Sequence, residues 1–341
     1  MIGLRRFAAT ARQVRVRRFA ATARQAVFLV VVLLTASGAF AGERYALVIT
    51  GASGGDTYAQ KYLAWRVQFT TILRDTFHYP PDRIVTLAET ESDGVQTATR
   101  DHVQRALADL RKRMTKDDQL LVLLIGHGTS LDGDEAKFNL VGPDISASEW
   151  ASLLAPIPGR LVFVNTTAAS FPFLRKLAGR GRVVLTATDS AAQQFETVFA
   201  EYFVKAFSEP ATDTDKNHRV SIWEAFTYAS AAVRQSYEQK GQLPTERSLL
   251  DDTGAAIGRE AQTGGTDGAL ARITYVEPEP PLVLPADATQ AALVRRRAEL
   301  DAQLEELKAR KESTQPDQYD AELEKLLIEI ARVGAQLRSK S

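Results

Sequence analysis

The segment Gly126-His127-Gly128 directly follows the apolar residues 120–125. Glycine on both sides lets the backbone turn sharply and leaves the imidazole exposed at the end of a strand. In open parallel sheets, catalytic and ligand-binding groups gather at the carboxyl ends of the strands. The next apolar run, residues 161–164, is followed by three hydroxyl side chains, those of Thr166, Thr167 and Ser170. A histidine within reach of a hydroxyl is the arrangement by which a general base activates a nucleophile.

The composition excludes several kinds of chemistry. The 341-residue chain contains no cysteine, so it has no disulfide, no thiolate metal ligand and no cysteine nucleophile. Lysine plus arginine and aspartate plus glutamate each number 42, so no excess of positive charge favours a nucleic-acid partner, and we expect none. The sequence also lacks a phosphate-binding glycine loop, an HExxH zinc helix and a GxSxG elbow, and the enzyme classes built on them are not supported.

Residues 213–224 match the twelve-residue loop that holds calcium between two helices. Position 6 of this loop, which is normally glycine, is occupied here by His218. An acidic turn ahead of a helix explains the same residues without a metal, so a calcium site and an ordinary turn both remain open. The ligands that the calcium interpretation predicts are Asp213, Asp215, Asn217, the backbone carbonyl of Arg219, Ser221 and Glu224.

Short β-branched runs alternate with longer helical patterns and predict an α/β domain with a mostly parallel central sheet. Residues 120–125 and 161–164 show no polar alternation, which is typical of central strands covered on both faces. The predicted strands are 45–50, 83–87, 119–125, 160–165 and 182–187. The predicted helices are 58–77, 100–114, 147–154, 172–179, 195–207 and 222–237.

Residues 1–41 have the layout of a signal peptide. Arginines up to Arg24 precede an apolar run over 26–34 and the small-residue sequence Ala39-Phe40-Ala41. The apolar run is shorter than the roughly 20 residues that a membrane span requires. We therefore expect export, cleavage after Ala41, and a periplasmic or secreted protein. Membrane association is expected only where this segment stays uncleaved.

The C-terminal part of the chain predicts a separate helical unit. Closely spaced prolines over 277–288 favour an extended linker, which would end a main domain of residues 42–276. Residues 289–341 then carry two apolar stripes separated at 313–317, which predicts an antiparallel coiled-coil hairpin. The hairpin either packs within its own chain or serves self-association or partner binding. The stripes are Leu293, Leu300, Leu304 and Leu307, then Leu323, Leu327, Ile330, Val333 and Leu337.

The order of the strands, the sequence Gly126-His127-Gly128 and the loop after the next strand resemble the caspase fold. The likeness is to legumain-like asparaginyl endopeptidases and their bacterial relatives. It covers about residues 45–252 and implies a three-layer caspase-like fold. In that family, two strands end in a His-Gly pair and an Ala-Cys pair, whose histidine and cysteine form the catalytic dyad. The resemblance puts His127 at the dyad histidine and Ala168 at the lost cysteine. Ala59 stands where legumains carry a substrate-pocket arginine, so asparagine specificity does not transfer.

Two functions follow as hypotheses. A methyl group is not a nucleophile, so Ala168 closes the thiol mechanism and favours a pseudopeptidase that binds a peptide or protein in the cleft. The alternative is a residual peptidase or hydrolase in which a hydroxyl of Ser170, Thr167 or Thr166 works with His127. Serine and threonine are also ordinary residues at turns and strand ends, which gives these hydroxyls a structural interpretation.

Overall fold

The computed structural model describes residues 42–130, 133–262, 268–279, 282–309, 311 and 314–339. The predicted signal peptide, residues 1–41, lies outside the described residues. Within them, no helix combines the length and the apolar character needed to cross a membrane. The predicted division of the chain at residues 276 and 288 stays a prediction.

The strands of the described residues are β1 (Arg44–Thr50), β2 (Ile84–Ala88), β3 (Val95–Thr97), β4 (Gln119–Ile125), β5 (Gly128–Ser130), β6 (Ala136–Phe138), β7 (Ile145–Ser146), β8 (Arg160–Asn165), β9 (Arg182–Thr186) and β10 (Leu249–Asp251). Seven of them form the central sheet, in the order β10-β9-β8-β4-β1-β2-β3. Neighbouring strands are parallel except for β10, which runs antiparallel to β9. The sheet is therefore mostly parallel, as predicted.

The helices of the described residues are α1 (Asp56–Thr71), α2 (Arg100–Arg113), α3 (Ala147–Leu154), α4 (Phe171–Leu177), α5 (Phe199–Ala206), α6 (Ile222–Gln239), α7 (Ala269–Arg272), α8 (Ala288–Ala309) and α9 (Pro316–Ser339). Capping boxes begin α3 and α6, where Ser146 pairs with Glu149 and Ser221 with Glu224. In each box the serine and glutamate satisfy backbone N–H groups that the first turn leaves without a helical partner.

Two hydrophobic clusters lie on opposite faces of the sheet. On β1, Ala46 and Val48 join the cluster that contains the buried side chains of α1, α5 and α6. Leu47 and Ile49 join the other cluster, with the buried side chains of α2, α3 and α4. Because successive residues of a strand point to opposite faces, an apolar run such as β1 serves both clusters at once. The predicted α/β architecture with three layers is confirmed.

The predicted strands agree with the structure to within one residue at each end, whereas several short strands were missed. The missed strands are β3 and β10 at the two edges of the central sheet and the small three-stranded sheet β5-β6-β7. Each contains two or three residues, too few to show a hydrophobic period. The position of β10 depends in addition on pairing with the distant β9, which a local pattern does not record.

Two helix predictions had the wrong bounds. The helix predicted over 195–207 begins only at Phe199, because residues before it form a loop. The helix predicted over 58–77 ends as α1 at Thr71 and continues as a π-helical turn, Ile72–Thr76. In both regions the apolar pattern extends beyond the regular helix, since loop side chains also pack on the core.

Helices α8 and α9 pack on each other around Leu300, Ile330 and Val333, which are buried. A connection of six residues between packed helices requires an antiparallel hairpin. The predicted stripe on α9 was wrong at Leu327, which is 47% exposed. Leu326 packs toward α8 instead.

A buried carboxyl group, that of Glu246, holds the start of α5. It accepts hydrogen bonds from the backbone N–H groups of Val198 (2.8 Å) and Phe199 (2.7 Å). Burial raises the pKa of Glu246 from its ordinary value of 4.5 to about 8, and these two N–H groups only partly oppose the rise. A carboxyl whose pKa is higher in the folded state contributes its full stability below pH 4.5. That contribution is lost as the pH rises toward 8.

We expect the free energy of unfolding to fall by up to about 4 kcal/mol between pH 5 and pH 9 through this group. Urea unfolding at both pH values measures the difference, and Glu246→Gln should remove most of it. The exposed Glu238 on α6 supplies the matched control, because Glu238→Gln should leave the pH dependence unchanged. An identical pH dependence in Glu246→Gln and the native protein would refute this role.

Candidate functional site

The loops after β4 and β8 touch each other at the carboxyl edge of the sheet. β4 and β8 are parallel neighbours, with Leu124 beside Asn165. A Cβ atom added at Gly128 would lie 2.3 Å from the carbonyl oxygen of Ala168 and 2.5 Å from Oγ1 of Thr167. Only glycine allows this approach. The structure therefore brings the segment of His127 against the segment of Ala168.

His127 is held by the segment that follows β1. Its Nε2 atom lies 2.9 Å from the carbonyl oxygen of Ser53 and 3.2 Å from the hydroxyl oxygen of Tyr62. A carbonyl oxygen only accepts, so a hydrogen bond to Ser53 requires the proton to be on Nε2. Nδ1 is then the nitrogen that remains to act as a base. The ring of Tyr58 packs edge-on against the imidazole, with 4.7 Å between the ring centroids.

Tyr62 is a partner of His127 that the sequence analysis missed. Burial, with the carboxylate of Glu196 nearby, raises the pKa of Tyr62, so its hydroxyl stays protonated at neutral pH. Tyr58 and Tyr62 stand four residues apart on α1 and therefore share one face of the helix. That spacing was the feature of the sequence from which a shared position of the two tyrosines could have been predicted. The carbonyl of Ser53 left no such signal, because every residue has a backbone carbonyl.

Ala168, which the resemblance puts at the lost cysteine, is buried and offers only a methyl group. The three neighbouring hydroxyls are engaged elsewhere. Thr166 donates to the carbonyl of Leu124 at 2.7 Å, and Thr167 donates to Oδ1 of Asn165 at 2.8 Å.

Ser170 is fully buried and bonds to Thr188, with 3.1 Å between their hydroxyl oxygens. Within the described residues, the hydrogen bonds of the His127 ring go to Ser53 and Tyr62 rather than to any of these hydroxyls. The structure thus places Thr167 against the His127 segment, but it pairs none of the three candidate hydroxyls with the imidazole.

The loop between β9 and α5 borders the same site. Its Gln194 donates to the carbonyl of Ser130 on β5 at 3.2 Å, and its Glu196 forms an ion pair with Lys61 on α1. Between these two anchors, Phe195 is 69% exposed. An exposed aromatic side chain on an anchored loop is the kind of group that protein and peptide interfaces use.

The acidic loop forms a compact cluster next to α6. Carboxylate oxygens of Asp213, Asp215 and Glu224 lie within 4.8 Å of one another. His218 has φ of 67°, so it adopts the left-handed conformation that position 6 of a calcium loop requires. Burial and the neighbouring carboxylates of Glu224 and Asp213 raise the pKa of Asp215, although the N–H of Asn217 lowers it. These carboxylates repel one another, and a cation would relieve that repulsion.

The remaining residues predicted for this loop are engaged in contacts with the protein. Asn217 donates to Asp215 at 3.0 Å and to the Tyr275 hydroxyl at 3.1 Å, whereas the guanidinium of Arg219 stacks over the Tyr275 ring. Ser221 and Glu224 form the capping box of α6. Burial raises the pKa of Glu224, but hydrogen bonds from Ser221 and Thr214 outweigh this effect, and the pKa is lowered.

Neither a protein-family model nor a curated protein sequence matches this chain. Solved structures do. The initiator caspase Dronc from Drosophila is 12% identical with a TM-score of 0.45, over 70% of this chain and 84% of Dronc. The Geobacter sulfurreducens protein GSU0716 is 12% identical with a TM-score of 0.40, over 61% of this chain and 92% of that protein. Raptor from Chaetomium thermophilum is 12% identical with a TM-score of 0.33, over 68% of this chain and 21% of Raptor. A caspase is thus among the solved structures to which this chain is similar.

The close contact at Gly128 generates a stability prediction. Gly128→Ala should lower the free energy of unfolding by about 1–3 kcal/mol, because the new methyl group meets the backbone carbonyl of Ala168 and the fully buried side chain of Thr167. Urea unfolding measures the change. Gly179→Ala is the matched control, since its new methyl would find ordinary contacts starting at 3.4 Å, and its effect should be below about 1 kcal/mol. Equal effects in the two variants would show that the loops do not meet as described.

Proposed function

We propose that the chain is an exported pseudopeptidase, related to caspases and legumains, that binds a peptide or protein in the cleft beside His127. The observation that carries this proposal is the state of the site. The histidine and its supporting groups, Ser53 and Tyr62, are in place, whereas the nucleophile position holds the methyl group of Ala168. Without a nucleophile the site supplies recognition but no covalent chemistry.

The surroundings of His127 support binding. Tyr58 packs on the imidazole, and the ammonium group of Lys61 lies 5.6 Å from the centroid of the Tyr58 ring. Lys61 in turn pairs with Glu196, next to the exposed Phe195. Aromatic anchors surrounded by charged groups are typical of surfaces where few side chains supply most of the binding energy.

Export is supported by the signal-peptide layout of residues 1–41. The C-terminal hairpin offers a second surface for interaction, because Leu327 and Ile328 on α9 are each more than 40% exposed. We propose this face for self-association or for contact with the partner.

A mixed peptide library should be bound but not cleaved by the purified protein. We expect no cleavage, measured by mass spectrometry with calcium present, for the native chain, His127→Ala or Ser170→Ala. Peptides retained on the immobilised protein should bind about tenfold more weakly to Tyr58→Ala and Phe195→Ala, since each removes an aromatic anchor.

Val283→Ala removes an exposed apolar side chain from the segment before α8 and should leave peptide affinity unchanged. Cleavage that His127→Ala or Ser170→Ala abolishes would overturn the proposal in favour of a hydrolase with a hydroxyl nucleophile. Absence of both cleavage and retention would remove the support for a peptide-binding cleft.

We also propose that the acidic loop binds calcium. The residues fit the ion in two respects: three carboxylates supply oxygen ligands close together, and His218 has the left-handed backbone conformation that position 6 of a calcium loop requires. Asp213, Asp215 and Glu224 would hold it, and its chemistry would be structural: a cation that neutralises clustered carboxylates next to α6. One isolated loop in an exported protein would meet a steady supply of calcium, which suits a structural role better than a signalling one.

Removal of calcium by a chelator should lower the midpoint of thermal unfolding. At a calcium concentration one hundred times the dissociation constant, the ion stabilises the folded state by about 2.7 kcal/mol. Asp215→Asn keeps the shape of the side chain but removes its charge, and it should abolish most of this stabilisation. Glu224 is unsuitable for this test because it also caps α6. An unchanged midpoint in the native protein with chelator would count against the site.

A further inference from the structure

A buried arginine without a partner lies close to the proposed cleft. Arg66 on α1 is only 7% exposed, yet no ion pair or hydrogen bond of its guanidinium is found among the described residues. Its Nε and Nη1 atoms are buried and have no hydrogen-bond acceptor. The other buried arginine of the described residues, Arg44, does find an oxygen acceptor, because its Nη1 donates to the carbonyl of Gly42 at 3.0 Å.

This state is unfavourable for the free protein. An arginine guanidinium remains charged in proteins, so burial of Nε and Nη1 without acceptors leaves these two donor atoms unsatisfied and the charge without a counter-ion. An unpaired buried charge destabilises the folded state, and buried polar groups in native proteins are nearly always hydrogen-bonded. Burial lowers the pKa of Arg66, with no neighbouring carboxylate to oppose the effect.

Arg66 lines a cavity that is open to a ligand. The cavity has a volume of about 300 Å³ and lies between α1 and the carboxyl ends of β1 and β2. Such a volume accommodates a small molecule or one end of a larger one. Other residues that line it are Thr50, Ser53, Tyr62, Glu89 and Thr90.

The acidic residue of this cavity does not neutralise the arginine. Glu89 is exposed, and its carboxylate accepts a hydrogen bond from the N–H of Ser53 at 3.2 Å. Among the ion pairs of the described residues, none joins Glu89 to Arg66. The guanidinium is thus still available to an acceptor from outside the chain.

We propose that this cavity binds a small ligand through an oxyanion group, a carboxylate or a phosphate, with Arg66 as its counter-ion. A planar guanidinium donates two parallel hydrogen bonds to either group, which supplies both the missing acceptors and the missing charge. Glu89 at the exposed side reduces affinity for highly charged anions and so restricts the ligand. The site is separate from peptide binding at His127, but the two share a wall, because Tyr62 lines the cavity and contacts His127.

Isothermal titration and thermal unfolding of the purified protein test this proposal with three probes at constant ionic strength: inorganic phosphate, succinate and uncharged succinamide. Phosphate or succinate should bind saturably and raise the unfolding midpoint, whereas succinamide should not. The anion that binds more tightly identifies the source as phosphate or carboxylate. Binding of neither anion, or equal binding of succinamide, would overturn the proposal.

Variants separate the role of Arg66 from nonspecific effects. Arg66→Gln should weaken anion binding at least tenfold, and Arg66→Lys should weaken it less, because lysine keeps the charge but loses the paired donors. Without ligand, Arg66→Gln should unfold no earlier than the native protein, since it removes an uncompensated charge. This result also shows that the variant is folded.

Arg74→Gln is the matched control, because Arg74 is exposed and already paired with Asp75. It should bind the anion like the native protein. Glu89→Gln should bind it several-fold more tightly. His127→Ala should keep anion binding, so failure of the anion site and failure of the peptide-binding cleft are distinguishable. Unchanged affinity in Arg66→Gln would refute the assignment.

Discussion

The register of three parallel strands is the constraint on which the site depends. Hydrogen bonds align β1 with β4 and β4 with β8, so that Thr50 lies beside Ile125 and Leu124 beside Asn165. The segments that carry Ser53, His127 and Ala168 therefore leave the sheet at one level. A shift of one residue in any of these strands would exchange the side chains of its two faces and disperse the group. Apolar burial on both faces prevents that shift, because β1 and β4 are buried along their whole length.

The predictable part of the fold is the part with strong local patterns. The bounds of β4 and β8 agree with the prediction at both ends, because continuous apolar runs between polar segments identify buried strands. The small sheet β5-β6-β7 has no such pattern, because its strands, which pair with near neighbours in the chain, contain only two or three residues each. Leu327 shows the limit within helices: both Leu326 and Leu327 fit a repeat of three and four, and only packing against α8 distinguishes them.

The site was predictable to a similar degree. The juxtaposition of the His127 and Ala168 segments follows from strand order, since adjacent parallel strands end at the same edge. The hydrogen-bond partners of His127 cannot be predicted from strand order. One is a backbone carbonyl, and the other is a tyrosine on a helix that precedes His127 by more than 60 residues. The lack of a partner for the buried Arg66 guanidinium could not be predicted from the sequence either. Absence of a partner is a property of the folded chain, and an arginine on a helix normally indicates a solvated face.

The attachment of the His127 loop at both ends has a consequence for the thermodynamics of recognition. Ile125 ends a strand of the central sheet and Gly128 begins a strand of the small sheet, so only Gly126 and His127 lie between two hydrogen-bonded ladders. The imidazole is therefore nearly fixed before any ligand arrives, and its side chain has little conformational entropy left to lose. Whatever associates with this surface meets a rigid template, and the ordering cost of the complex falls mainly on the incoming molecule.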